Sequence, residues 1–75
     1  MIDLPPMGPP RKRSVTIEGH ATSVSLEDAF WEGLRALARA EGMSPAEAIA
    51  AIDRGRPAEV GLATAIRLTV LAAKG

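Results

Sequence analysis

The sequence predicts a mainly helical domain fronted by a short β ribbon. Three observations carry that expectation. Thr22-Ser23-Val24-Ser25-Leu26 alternates polar and apolar residues, the period-two mark of a strand with one buried face. It runs without a spacer into an amphipathic stretch that stops at Gly42, and Ser44-Pro45-Ala46-Glu47 then opens a second helix. A lone short strand leaves its backbone donors and acceptors unpaired, so this one requires a partner strand, within the chain or in a second copy.

Seventy-five residues make one small domain, of a size at which a single core leaves only about 3–5 kcal/mol of net stability. The chain has no cysteine and one histidine, so neither disulfides nor a structural zinc can supplement that core, and no metal or other cofactor is expected. Oligomerisation is the remaining stabiliser, and a homodimer is expected on that ground. No apolar run approaches about 18 residues and no signal-peptide pattern is present, so no membrane association and a cytoplasmic location are expected. The scattered carboxylates and lone histidine form no catalytic set, so the chain is not expected to be an enzyme. Nine Lys and Arg balance nine Asp and Glu, yet Arg11, Lys12 and Arg13 stand together, opposed on their N-terminal side only by Asp3.

Met1 to Pro10 holds Pro5, Pro6, Pro9, Pro10 and Gly8, a composition that supports neither helix nor central strand. With the basic triplet it forms an expected flexible arm over residues 1–13, ahead of a folded domain over 14–75. Ser14-Val15-Thr16-Ile17 alternates as Thr22–Leu26 does, and Gly19 can take the positive φ of a tight turn. A two-residue loop pairs Val15 with Thr22, and a four-residue loop pairs it with Val24. Either register leaves Val15 and Ile17 on the face of Val24 and Leu26. An N-terminal β-hairpin is expected.

The first helix is expected from about Glu27 to Glu41. Leu26, Phe30, Leu34 and Leu37 make its stripe, Trp31 and Ala38 widen it, and Glu32, Arg35 and Arg39 face water. Phe30 and Trp31 lie about 100° apart, which puts Phe30 in the core and Trp31 at its edge. Glu27 and Asp28 suit the helix dipole, and Gly42 is placed as the residue just past the C-cap. In the second helix Ser44 is the N-cap, Pro45 the first helical residue and Glu47 the partner in a capping box. Ile49 and Ile52 are its core contacts. Its end is expected near Asp53 or Arg54, before Gly55-Arg56-Pro57. A third helix is expected from Glu59 or Gly61 to Ala73, with Leu62, Ile66 and Val70 in one stripe. Leu68 and Leu71 lie off that stripe, which suggests a helix wedged between two neighbours, one of them a second subunit.

Thr22 to Asp53 closely resembles the ribbon-helix-helix superfamily of Arc and MetJ type. Leu26-Glu27 stands at the strand-to-helix junction, Gly42-Met43-Ser44 at the interhelical turn and Ile49 at the core position of the second helix. Arg13 to His20 ahead of the strand, and Leu62 to Leu71 behind, resemble a bacterial subfamily with an extra N-terminal strand segment and a third helix. The resemblance covers about residues 13–72. It implies a homodimer in which two Thr22–Leu26 strands pair antiparallel above a shared core of Val24, Leu26, Phe30, Trp31, Leu34 and Ile49. It also implies a DNA-binding transcription regulator. Ala21, Ser23 and Ser25 would face base edges, and Ser44 would offer backbone amides to a phosphate. If residues 14–17 peel away from the ribbon as an arm, Arg11, Lys12 and Arg13 would grip flanking phosphates.

A second expectation comes from the residues themselves. Base readout is strongest with Arg, Lys, Asn or Gln, whereas the outward strand positions carry two serines and an alanine. Pairing of residues 14–17 with the outer edge of each ribbon strand would make a sheet of four strands, roughly 14 Å wide, against a major groove of about 12 Å. That arrangement suits a dimeric protein–protein interaction module without DNA binding. An antitoxin role is expected least, since no long tail follows the third helix.

Overall fold

The computed structural model describes residues 1–74; Gly75, the last residue of the expected domain, lies outside the described residues. Two strands, β1 (Arg11–Ile17) and β2 (His20–Leu26), precede three helices, α1 (Asp28–Ala40), α2 (Pro45–Gly55) and α3 (Leu62–Lys74). Met1–Pro10 carries no regular secondary structure and is exposed along its length.

The strands form an antiparallel hairpin in which Ile17 faces His20, Val15 faces Thr22 and Arg13 faces Val24. The two-residue loop is therefore the register adopted. Glu18 and Gly19 take φ values of 51° and 82°, the two positive angles of the turn whose twist matches paired strands. Glu18 adopts a conformation that L-residues resist. Its carboxylate accepts a 2.7 Å hydrogen bond from Arg54 Nη1, tying the turn to the end of α2.

The strand begins earlier than the apolar alternation alone marks. Arg11, Lys12 and Arg13 belong to β1 rather than to the arm, because their period-two register continues that of Val15 and Ile17. Arg11 and Arg13 fall on the inner face and Lys12 on the outer.

Glu27 is the N-cap of α1, with extended backbone angles, so the helix proper begins one residue after the expected start. Past its end, Gly42 has a φ of 70°. Met43 N donates to Ala38 O at 2.8 Å and Gly42 N to Arg39 O at 3.1 Å, the paired bonds of a glycine-terminated helix. In α2 the capping box is complete: Glu47 N donates to Ser44 Oγ at 3.1 Å, and Ser44 N donates to Glu47 Oε1 at 2.8 Å. Ser44→Ala is expected to lower stability by about 1 kcal/mol, measured as a shift in urea midpoint at unchanged m-value. The helix continues to Gly55, slightly beyond its expected end. Arg56 then donates to Asp53 Oδ1 at 2.8 Å and to Val60 O at 2.7 Å, folding the linker back toward α3.

The core lies under the hairpin. Leu26, Leu34, Ile49 and Ile66 have no exposed surface, and Val24, Ala38, Ala48 and Val70 are nearly as buried. One residue of this set comes from each of β2, α1, α2 and α3 at the fully buried level, so a single chain encloses its own core. Phe30, Trp31, Val15 and Ile17 flank it. Close approach of α1 and α3 is centred on Gly33, where a Cβ would stand 2.5 Å from Val70 Cγ1. Leu68 and Leu71 remain 56% and 63% exposed on the far side of α3.

Candidate nucleic-acid interface

The pleat of the hairpin sorts its side chains into two sets. Lys12, Ser14 and Thr16 of β1 share the outer face with Ala21, Ser23 and Ser25 of β2, and all six are exposed. The cross-strand pairs on this face are Lys12 with Ser25, Ser14 with Ser23, and Thr16 with Ala21. The result is a shallow surface of small, mostly hydroxyl-bearing side chains with a cation at one corner. Lys12 makes no ion pair among the described residues.

The other two basic residues are placed differently. Arg13 is turned inward, with its side chain only 14% exposed. Its Nη2 donates to Asp28 Oδ1 at 2.5 Å and to Leu26 O at 3.1 Å, and its guanidinium carbon lies 5.4 Å from the centre of the Trp31 ring. Arg13 Nε is buried with no hydrogen-bond partner among the described residues, so contact with the aromatic face is what offsets part of its desolvation. Arg13 thus fastens β1 to the start of α1 instead of standing with Lys12 on the outer face. Arg11 shares Asp28 at 3.5 Å, with both side chains 66% exposed.

Ser44 is exposed at the start of α2, but the carboxylate of Glu47 already sits over that helix terminus. A phosphate approaching there meets a resident negative charge. Of the residues expected beneath the ribbon, Val24, Leu26, Leu34 and Ile49 are buried within one chain, while Phe30 and Trp31 are half-buried at its margin.

The backbone of β2 has one occupied and one open edge. A two-residue turn closes on a hydrogen-bonded pair, so His20, Thr22, Val24 and Leu26 direct their amides and carbonyls to β1. Ala21, Ser23 and Ser25 direct theirs to the opposite edge. At its Leu26 end that edge meets α3: Arg67 Nη2 donates to Ser25 O at 3.4 Å, and Arg67 Nε donates to Glu27 Oε1 at 2.9 Å.

Three carboxylates titrate below their usual range, each for a local reason. Glu27 is held down by its own backbone amide first and by Arg67 second. Asp28 is held down chiefly by the Arg13 hydrogen bond. Glu47 responds to the Ser44 amide and then the Ser44 hydroxyl. A carboxylate with a depressed folded-state pKa contributes stability that is present above its unfolded pKa and lost as pH falls through the folded one. Stability is therefore expected to hold from pH 7 to about 5 and to fall below about 4. Chemical denaturation across that range checks it, and Asp28→Asn should flatten the acid limb.

Arg67 and its bridge from α3 to the strand edge were not expected from the sequence, because no local pattern links positions separated by forty residues. The inward placement of Arg13 had a signal, since it lies two residues before Val15 in the same alternation.

A family model described as a ribbon-helix-helix domain matches residues 10–73. The chain belongs to the ribbon-helix-helix family. Domains of this family are generally non-enzymatic and form dimers that bind DNA, typically as transcription regulators. The match takes in both strands and nearly all of α3, so the hairpin and third helix lie within the domain. No curated protein and no solved structure matches the chain. No helix among the described residues is long and apolar enough to cross a membrane.

Proposed function

We propose that this protein is a cytoplasmic homodimer that binds duplex DNA and regulates transcription, with no catalytic step of its own. Family membership over residues 10–73 is the observation that carries this reading. The open edge of β2 supports it, because Ala21, Ser23 and Ser25 of a second copy would supply the missing backbone partners. The outward set of Lys12, Ser14, Ser23 and Ser25 offers hydroxyl donors and acceptors to base edges and one cation per chain to phosphates. Arg11 is a weaker candidate for phosphate, since Asp28 shares its charge, and Ser44 would act only through its amide end of α2.

Binding to phosphates releases counterions and weakens as salt rises. Titration of a labelled duplex at about 50 mM salt and again at about 200 mM is expected to show binding that declines between the two. Absence of binding at the lower salt would overturn the reading.

A protein–protein interaction module is the second reading, and one feature favours it. The full pairing of β1 with β2 widens a two-copy ribbon to four strands, so a groove-inserted two-stranded ribbon would require β1 to detach. Such a module would dimerise normally and leave the duplex unbound.

A further inference from the structure

We infer that a pair of Lys12 side chains, one from each copy, spans the DNA major groove from rim to rim, with the sheet lying over the groove rather than inserted in it. This rests on the DNA-binding reading above and specifies how the outer face would meet its partner.

The geometry follows from the hairpin register. Two β2 strands paired antiparallel through their open edges must match residues whose backbone groups point outward, namely Ala21, Ser23 and Ser25. Centring the twofold axis on Ser23 pairs all of His20–Leu26, the greatest overlap available, with Ala21 opposite Ser25 of the second copy. Arg67 reaches Ser25 O at 3.4 Å, and a carbonyl oxygen has a second lone pair for the incoming amide.

Each β1 then forms an outer strand of a four-stranded sheet. Its central outward row is Ser14 and Ser23 from one chain followed by Ser23 and Ser14 from the other. Lys12 lies in the row of Ser25, and the second Lys12 lies four residues further along the strand direction. Four residues at about 3.4 Å give roughly 14 Å along the strands, and three interstrand steps of about 4.8 Å give roughly 14 Å across them. The two Lys12 Cα positions therefore stand about 20 Å apart on the diagonal.

That separation exceeds the groove width of about 12 Å and leaves each ammonium beside a phosphate rim. The central row of short hydroxyl side chains faces the groove opening. Arg13 and Arg11 cannot substitute, since one is turned under the sheet and the other shares its charge with Asp28. Lys12 is the cation of the outer face that no carboxylate neutralises among the described residues. Contacts of this kind track the phosphate backbone, and serine discriminates weakly among bases, so sequence preference should be slight.

The test is anisotropy titration of a short labelled duplex with the wild type, Lys12→Gln and Lys12→Arg across about 50 to 200 mM salt. Two lost phosphate contacts per dimer should reduce the slope of log affinity against log salt by about 2. Over that fourfold salt range, the wild type should lose about 12-fold more affinity than Lys12→Gln. Lys12→Arg should keep the wild-type slope. Circular dichroism should show all three proteins equally folded, because Lys12 is exposed on the outer face. Wild-type binding with an unchanged slope in Lys12→Gln would overturn the clamp and leave the DNA reading standing. Failure of the wild type to bind would overturn both.

Discussion

Ile66→Ala is expected to lower the melting midpoint far enough to leave the domain only marginally stable at ambient temperature. Ile66 is fully buried on α3, against the β2, α1 and α2 residues Leu26, Leu34 and Ile49. Truncating such a side chain removes its transfer free energy and leaves a cavity, together about 2–5 kcal/mol. A domain of this size has about 3–5 kcal/mol in total, so the loss is comparable to the whole. Thermal melting followed at 222 nm should show a midpoint lowered by roughly 10–30 °C. A midpoint within about 2 °C of wild type would mean that α3 does not close the core of its own chain. Val24→Asp is a less direct probe of the core, because Arg13 lies directly across the hairpin from it and would partner the new carboxylate.

Gly33→Ala carries the second large effect, and its sign should depend on Val70. Alanine improves helix propensity by about 1 kcal/mol over glycine. At this position the added methyl would meet Val70 Cγ1 at 2.5 Å. Valine is stiff about χ1, so the overlap is relieved only by parting α1 from α3, at about 1–3 kcal/mol. A net loss of up to about 2 kcal/mol is expected. In a Val70→Ala background the obstruction is gone, and Gly33→Ala should then stabilise by up to about 1 kcal/mol. A double-mutant cycle by urea denaturation measures this directly. Equal effects of Gly33→Ala in both backgrounds would contradict the close helix crossing.

What the sequence revealed was what local chemistry dictates. Period-two alternation placed Val24 and Leu26 inward and Ser23 and Ser25 outward, and the capping residues Ser44, Pro45 and Glu47 set the start of α2 to the residue. Gly42 marked the end of α1 because only a residue tolerant of positive φ suits that bond pattern. Helix ends were displaced by one or two residues where no cap residue fixed them, as at Glu27 and Gly55.

Features that depend on distant packing were less legible. Arg13 stands next to Lys12 in the sequence, yet adjacent residues in a strand point to opposite faces, so the triplet cannot act as one patch. Gly33 carries no local sequence signal of its role, and only the position of Val70 explains it. The salt link from Arg67 to Glu27 joins residues forty apart and has no sequence signature. The outer face was legible as a set of positions, Ala21, Ser23 and Ser25, but the contribution of Lys12, Ser14 and Thr16 required knowing the hairpin register.

Amide hydrogen exchange along β2 tests the two-copy ribbon most directly. His20, Thr22, Val24 and Leu26 bond to β1 within one chain and should be protected at any protein concentration. Ala21, Ser23 and Ser25 gain partners only when a second copy pairs with the open edge. Their amides should exchange slowly at high protein concentration and faster on dilution. Free exchange at Ala21, Ser23 and Ser25 at every concentration, beside protected Thr22 and Val24, would contradict the homodimeric ribbon.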